Sequence, residues 1–161
     1  MTDFKALLQA LCNAGVEFIL VGGVAATAHG SSRLTLDLDA VYRRSPENIE
    51  RLVKSLASHR PYLRGAPAGL PFHWDAATIA RGLNFTLTTS LGPLVLLGEI
   101  VGGGGYDDLL PHTTTLTLFG MTCRCLDLPW LIRIKRAAGR PKDLEVIAEL
   151  EAILEETQKT K

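Results

Sequence analysis

The sequence predicts a single α/β domain, in the broad sense that includes α+β, with a mixed β-sheet flanked by helices. Short apolar runs of strand length alternate with longer segments of helical periodicity. Two pairs of strand-like runs are separated by glycine-containing turns, as in antiparallel hairpins. The 161 residues are 47% apolar and 21% charged, enough for one packed core. We therefore predict one domain over residues 1–161, with a helical C-terminal part at about 127–157.

The composition excludes several classes of protein. Lysine plus arginine equals aspartate plus glutamate at 17 each, so no overall charge attracts the chain to nucleic acid or anionic membrane. The cysteines Cys12, Cys123 and Cys125 form no C-x-x-C pair, which argues against a disulfide framework or a zinc knuckle. The apolar runs are shorter than the ~20 residues that span a bilayer, and the N-terminus lacks a signal pattern. These features predict a cytoplasmic protein without a membrane partner.

The first half of the chain is predicted from local patterns. Leucines at helical spacing end at Gly15, and Ser45 and Pro46 are a typical N-cap and first helical residue. The predicted elements are a helix over about 4–14, a buried strand at 16–21, a short helix at 24–29, a strand at 35–42 and a helix from 46 to about 59.

The second half begins with residues 60–72, which are rich in proline and glycine and are predicted to be a loop. Asp75 is the predicted cap of a short helix before Gly82. The remaining predicted elements are strands at 83–89 and 94–100, a glycine loop at 102–105, a hairpin with strands at 113–119 and 121–126, and helices at 129–137 and from 141 onward.

Gly22 and Gly23 stand where a predicted strand gives way to a predicted helix. Backbone N–H groups at a helix N-terminus are unpaired and suit a phosphate, and glycine permits its close approach. The alternative is a tight turn that needs positive φ. The pattern matches neither the P-loop nor the dinucleotide fingerprint.

Asp37 and Asp39 lie two residues apart on a predicted strand, so their side chains leave one face about 7 Å apart. Two converging carboxylates suit Mg²⁺, which takes oxygen ligands and often shares them with substrate phosphates. The alternative is a solvated strand face.

Together these motifs carry a resemblance to a known family. Val21-Gly22-Gly23, His29-Gly30, Arg33, Thr35, Asp37 and Asp39 resemble the signature of the nucleotidyltransferase superfamily, which has the DNA polymerase β-like fold. More narrowly, the chain is similar to AbiEii-type nucleotidyltransferases of bacterial toxin–antitoxin and phage-defence systems. Segments 82–89, 97–100 and 127–143 extend the likeness, which covers roughly residues 16–150.

The resemblance implies a site and a reaction. It implies that Asp37 and Asp39 ligate Mg²⁺, two ions in all, and that Gly22 and Gly23 hold the triphosphate of an NTP. A third carboxylate is expected on the strand at 94–100, where the resemblance places Val95, a residue that cannot bind Mg²⁺. Glu99 faces the same way but lies about 13 Å further along a regular strand. A bulge at Gly98, or a movement of Asp107 or Asp108, would be needed to supply the acid.

Residues 124–142 carry six cations against one acid. This segment is a candidate patch for phosphate or RNA, with a helix face balanced by the acidic last helix as the alternative. By resemblance, Lys135 and Lys142 lie near the nucleotide. Arg33 and Thr35 belong to the same predicted nucleotide site, where Arg33 meets a phosphate or pairs with an aspartate.

Two main functions follow from these patterns. The first is a Mg²⁺-dependent nucleotidyltransferase that moves a nucleoside monophosphate from an NTP to a hydroxyl of RNA, such as tRNA, or of protein. A toxin-like role with a cognate antitoxin is implied by the resemblance alone. The second is a catalytically degenerate protein of the same fold that acts as a nucleotide-binding or regulatory module, as Val95 indicates. A third, an oligomeric scaffold, needs neither aspartate.

Overall fold

The computed structural model describes residues 2–159. Its helices are α1 (Phe4–Asn13), α2 (Gly23–Ala28), α3 (Pro46–Leu56), α4 (Ala76–Arg81), α5 (Tyr106–Leu109), α6 (Leu128–Ala138) and α7 (Pro141–Lys159). Its strands are β1 (Phe18–Leu20), β2 (Leu38–Tyr42), β3 (Tyr62–Leu63), β4 (Asn84–Thr88), β5 (Leu94–Leu97), β6 (Thr113–Leu118) and β7 (Met121–Leu126). Short 3₁₀ turns follow α3 and α5.

The strands form one mixed sheet in the order β3-β4-β5-β2-β1-β7-β6. β2 is parallel to β5 and antiparallel to β1, and β1 is parallel to β7. The hairpins β4–β5 and β6–β7 are antiparallel, as is β3–β4 at one edge. Helix α3 packs against α1 and α4, while α6 packs against α7. The predicted fold class, a mixed sheet flanked by helices, is confirmed.

Several strands are shorter than predicted, and the differences in β2 and β5 affect the candidate site. β2 begins at Leu38 rather than residue 35, because the first ladder contact is the bond from Leu38 N to the carbonyl of Pro93. Proline has no N–H with which to extend that ladder. β5 ends at Leu97 rather than residue 100, where the side-chain oxygen of Asn84 accepts hydrogen bonds from the N–H groups of Gly98 and Glu99.

The loop predicted over residues 60–72 contains the short strand β3. Two residues carry too little pattern to be recognised as a strand from sequence. The pairing of Tyr62 with Thr88 and of Leu63 with Leu87 makes β3 the edge of the sheet. The residue after this strand, Arg64, continues the pairing through the bond from its N–H to the carbonyl of Thr86.

The interior is one contiguous cluster of buried apolar side chains contributed by both halves of the chain. Cys123 and Cys125 belong to it, and burial raises the pKa of Cys123 to about 12 and that of Cys125 to about 11. Such thiols stay protonated, as expected of small core residues rather than nucleophiles. Among residues 2–159, no helix has both the length and the apolar character needed to cross a membrane.

Candidate functional site

A cavity of about 920 Å³ opens beside the end of β1 and the start of β2. All eight residues predicted for the site line it: Gly22, Gly23, Arg33, Thr35, Asp37, Asp39, Lys135 and Lys142. They come from parts of the sequence more than 100 residues apart, joined by the packing of α6 and α7 beside the sheet. The structure therefore brings the predicted residues together, while their roles remain predictions.

The glycine pair is required by close approach rather than by backbone conformation. Gly22 has φ −99°, and neither Gly22 nor Gly23 is among the glycines with positive φ. A Cβ atom on Gly22 would lie 1.8 Å from Oδ2 of Asp39, and one on Gly23 would lie 2.4 Å from Oγ1 of Thr35. The alternative of a positive-φ turn is wrong. Each glycine leaves room for one residue of the candidate site.

The Asp39 carboxylate lies on the cavity wall without a hydrogen bond or ion pair to any residue in the range 2–159. Burial, followed by the neighbouring charge of Asp37, raises the pKa of Asp39 to about 6, although Lys135, Arg64 and Lys142 oppose this. A carboxylate that is partly desolvated and unpaired gains most from a cation. Asp39 is therefore well suited to receive a metal ion.

Arg64 is the site residue that the sequence analysis missed. Its Nη1 lies 3.3 Å from Oδ2 of Asp37, and its Nη2 donates to the carbonyl of Leu87 at 3.1 Å. Its Nε is buried and has no hydrogen-bond partner among the described residues, which costs about 1–3 kcal/mol. No sequence signal marks Arg64, because its position depends on the two-residue strand β3 and on the bond from its N–H to the carbonyl of Thr86.

Val95, the position at which a third acid is expected, lies next to Asp39 in the sheet. Val95 is paired with Asp39 in the β2–β5 ladder, and Thr86 is paired with Val95 on β4. The residues between 2 and 159 contain no cluster of three or more side chains of the His, Cys, Asp and Glu type arranged to hold a metal. Two carboxylates fit one Mg²⁺ that completes its shell with water and substrate oxygens. They provide no third side-chain ligand for a second ion.

The three alternative acids lie elsewhere. Glu99 lines the cavity but is exposed and follows the end of β5, so it does not continue the strand face of Val95 as predicted. Asp107 pairs with Arg43 at 3.3 Å, and Asp108 accepts from the N–H of Gly105 at 3.0 Å. Neither Asp107 nor Asp108 lines the cavity.

The basic segment divides into two groups. Lys135, Arg140 and Lys142 line the cavity, and Asp143, 1% exposed, anchors the first two at 3.6 Å and 2.7 Å. Burial raises the pKa of Asp143, but the hydrogen bond from Arg140 and the charge of Lys135 outweigh it and hold that pKa below its ordinary value. The others do not line the cavity: Arg124 bonds to Thr113, Arg133 lies over Trp130, and Arg136 pairs with Glu151.

The loop between α2 and β2 is held by the last helix. Ser31 Oγ donates to Glu149 Oε1 at 2.5 Å, and Ser32 Oγ donates to Oε2 at 3.1 Å. Arg33 was expected to meet a phosphate or an aspartate. It pairs with Glu145, at 3.6 Å, and Glu149, at 4.0 Å, and not with an aspartate of the described chain, while its contact with a phosphate stays a prediction.

The whole architecture is also similar to a solved structure. The crystal structure of a "putative nucleotidyltransferase (TM1012)" from Thermotoga maritima matches 92% of this chain and 94% of its own, with a TM-score of 0.58 and 13% sequence identity. No family model matches the sequence, and no curated protein matches it. At this identity the likeness concerns the fold. The chain thus has the fold of that nucleotidyltransferase-like structure. In this chain, Asp37 and Asp39 lie on the wall of a cavity.

Proposed function

We propose that the protein is a Mg²⁺-dependent nucleotidyltransferase. One observation carries the proposal: Asp37 and the unpaired Asp39 line the same cavity as Lys135 and Lys142, whose charges act on Asp39. Acids and cations in one cavity suit a metal-bound triphosphate, because the carboxylates would hold the metal and the lysines would bind the free phosphate oxygens. The fold shared with the Thermotoga maritima structure supports the proposal.

The chain's own residues bind and orient the substrate in this reaction. Asp37 and Asp39 hold the ion, Lys135 and Lys142 neutralise the phosphates, and Gly22 and Gly23 keep side chains away from them. When bound, Mg²⁺ supplies charge neutralisation at the reacting phosphate. The acceptor oxygen forms a bond to the α-phosphorus and its proton passes to solvent water, while the bond between the α-phosphorus and the pyrophosphate oxygen breaks and pyrophosphate leaves.

The acceptor hydroxyl in this proposal belongs to RNA, such as tRNA, or to a protein side chain. The resemblance to AbiEii-type proteins is the basis for a toxin-like role and for a cognate antitoxin. Both acceptor classes are tested together by incubating the protein with each labelled NTP, Mg²⁺, and either total RNA or cell lysate. The size and nuclease or protease sensitivity of the labelled product identify the acceptor.

The expected result is label transfer that Asp37→Asn and Asp39→Asn each abolish. Asp107→Asn is the matched control, because Asp107 is an exposed aspartate that pairs with Arg43 outside the cavity. Transfer by the control at the wild-type rate would show that the loss is specific to the cavity. Absence of transfer with every NTP and both acceptor classes would overturn the proposed reaction.

A second function is favoured by the pairing of Val95 with Asp39. A protein of this fold that lacks the third carboxylate would bind a nucleotide without transferring it and act as a regulatory module. Thermal unfolding with Mg²⁺ and NTP separates the two functions from a scaffold role, since a ligand at 100 times its Kd stabilises the native state by about 2.7 kcal/mol. Binding without transfer identifies the regulatory module, and no binding argues against both nucleotide functions.

A further inference from the structure

The charged groups of the cavity include one ion pair that opposes metal binding. Nη1 of Arg64 lies 3.3 Å from Oδ2 of Asp37, while Asp39 has no such partner within residues 2–159. A Mg²⁺ ion shared by the two aspartates would have to use an oxygen of Asp37 beside this guanidinium. Two cations at one carboxylate repel each other, the more so where solvent access is limited.

The position of Arg64 is built by the sheet. Its backbone N–H donates to the carbonyl of Thr86 on β4, and its guanidinium contacts Asp37, the residue before β2, although β5 lies between β4 and β2 in the sheet. Val95 is the β5 residue between Thr86 and Asp39. The guanidinium therefore contacts Asp37 in a site where Val95 stands at the position expected for a third carboxylate.

The hydrogen bonding of Arg64 is incomplete in this arrangement. A guanidinium has five N–H donors, and the structure gives Arg64 bonds to Asp37 and Leu87 while its buried Nε has no partner in the described chain. The ion pair with Asp37 thus leaves some N–H donors of Arg64 without an acceptor among the described residues. An anion with several oxygens, placed in the same cavity, offers the fork of donors more acceptors than one carboxylate does.

We propose, resting on the proposed nucleotidyltransferase function, that Arg64 is a gate that couples the two ligands: it pairs with Asp37 in the free protein, and moves to the triphosphate when Mg²⁺ takes its place. The two carboxylates and the guanidinium carry one net negative charge, which a bound Mg²⁺ converts to one net positive charge. An anionic phosphate then becomes the natural partner of Arg64. Metal alone binds weakly, and metal with nucleotide binds well.

The test compares two affinities in the same variant. Mn²⁺, a paramagnetic substitute for Mg²⁺, is titrated alone and its free fraction measured by electron paramagnetic resonance. Non-hydrolysable analogues of the four NTPs are compared first, and the one that binds the wild type most tightly is chosen. Its complex with Mn²⁺ is then titrated by calorimetry. Arg64→Met should bind Mn²⁺ alone at least about fivefold tighter and the Mn²⁺–nucleotide complex at least about fivefold weaker, the lower end of usual coupling.

Two matched variants test whether the opposite changes in affinity for Mn²⁺ and for the Mn²⁺–nucleotide complex are specific to Arg64. Arg81→Met removes an exposed arginine of α4 outside the cavity and should change neither affinity. Arg64→Lys keeps the charge but loses the fork, so it should keep Mn²⁺ alone weak while also weakening the nucleotide complex. It also provides the test if Arg64→Met does not fold. Nucleotide binding as tight as in the wild type would then overturn the proposal.

The failures of the two proposals are distinguishable. If the wild type binds no Mn²⁺–nucleotide complex, the proposed function fails and the gate fails with it. If the wild type binds the complex and Arg64→Met shows unchanged or weaker binding of Mn²⁺ alone, only the gate is overturned. Tighter binding of both ligands by Arg64→Met would also overturn it, since Arg64 would then only compete with the metal.

Discussion

Val95 and Asp39 are direct partners in the parallel ladder between β2 and β5, and both line the cavity. The side chains of such a pair leave the same face of adjacent strands, about 5 Å apart. A carboxylate at position 95 would therefore stand beside Asp39. Because of this geometry, a substitution at position 95 tests directly whether the site needs a third carboxylate for catalysis.

We expect Val95→Asp to destabilise the metal-free protein by about 1–3 kcal/mol, because it adds a third, partly buried carboxylate next to two others. Mg²⁺ should restore the stability, and nucleotide transfer should rise on the order of 10²-fold if the new acid accepts the proton of the acceptor hydroxyl. Thermal unfolding with EDTA or Mg²⁺, together with labelled transfer, measures both effects. Thr86→Asp, one strand further from Asp39, is the control. Equal effects of the two variants would contradict the assignment of position 95.

The raised pKa of Asp39 predicts a dependence of stability on pH. Because this pKa is about 6 in the folded protein against 3.8 ordinarily, the native state binds a proton between these values while the unfolded state does not. The free energy of unfolding should therefore increase as pH falls from about 6 to about 4, by about 1–2 kcal/mol after solvent screening of this partly exposed group.

Urea unfolding in EDTA across this pH range measures the effect, with Asp39→Asn as the reference that lacks it. Asp37→Asn should move the change to lower pH, because the charge of Asp37 is the second cause of the raised pKa. The same pH profile in the wild type and in Asp39→Asn would show that other groups produce it.

Gly22→Ala should destabilise the protein by about 1–3 kcal/mol and weaken nucleotide binding, because the new methyl would lie 1.8 Å from Oδ2 of Asp39. The same substitution in an Asp39→Gly background should cost less, since the atoms it meets are then absent. A double-mutant cycle with chemical unfolding measures this coupling. Additive losses would show that Gly22 is needed for a reason other than its contact with Asp39.

Glu149→Gln should weaken nucleotide binding several-fold, because Glu149 accepts hydrogen bonds from Ser31 and Ser32 and so holds the loop that leads to Asp37. Titration of the nucleotide in the presence of Mg²⁺ measures the loss. Glu151→Gln is the matched control: Glu151 is also on α7 and also pairs with an arginine, Arg136, outside the cavity. Equal losses in both variants would indicate a general effect of the helix.

Much of the fold could be predicted because its elements carry strong local signals. The periodic leucines of α1, the Ser45-Pro46 start of α3 and the glycine turn between β6 and β7 each specify a structure within a few residues. The glycine pair and the aspartates were likewise recognisable as a motif. The structure places them together in one cavity.

Arg64 could not be predicted, because its importance arises from contacts that are distant in the chain. Its partner Asp37 is 27 residues away, and the link depends on β3, a strand of two residues. The end of β5 was also missed, since a strand's length is set by the neighbours available for pairing. The sequence pattern therefore placed Glu99 on β5, but this strand ends at Leu97.

Because α7 anchors the loop between α2 and β2, the order of synthesis affects when the cavity can form. Asp37 and Asp39 leave the ribosome early, but Glu149, which fastens the loop before them, is synthesised more than 100 residues later. The cavity also needs Lys135 and Lys142 from the same late region. A chain still being translated therefore lacks one wall of its site. The cavity, and any site within it, is therefore complete only after the last helix has been synthesised.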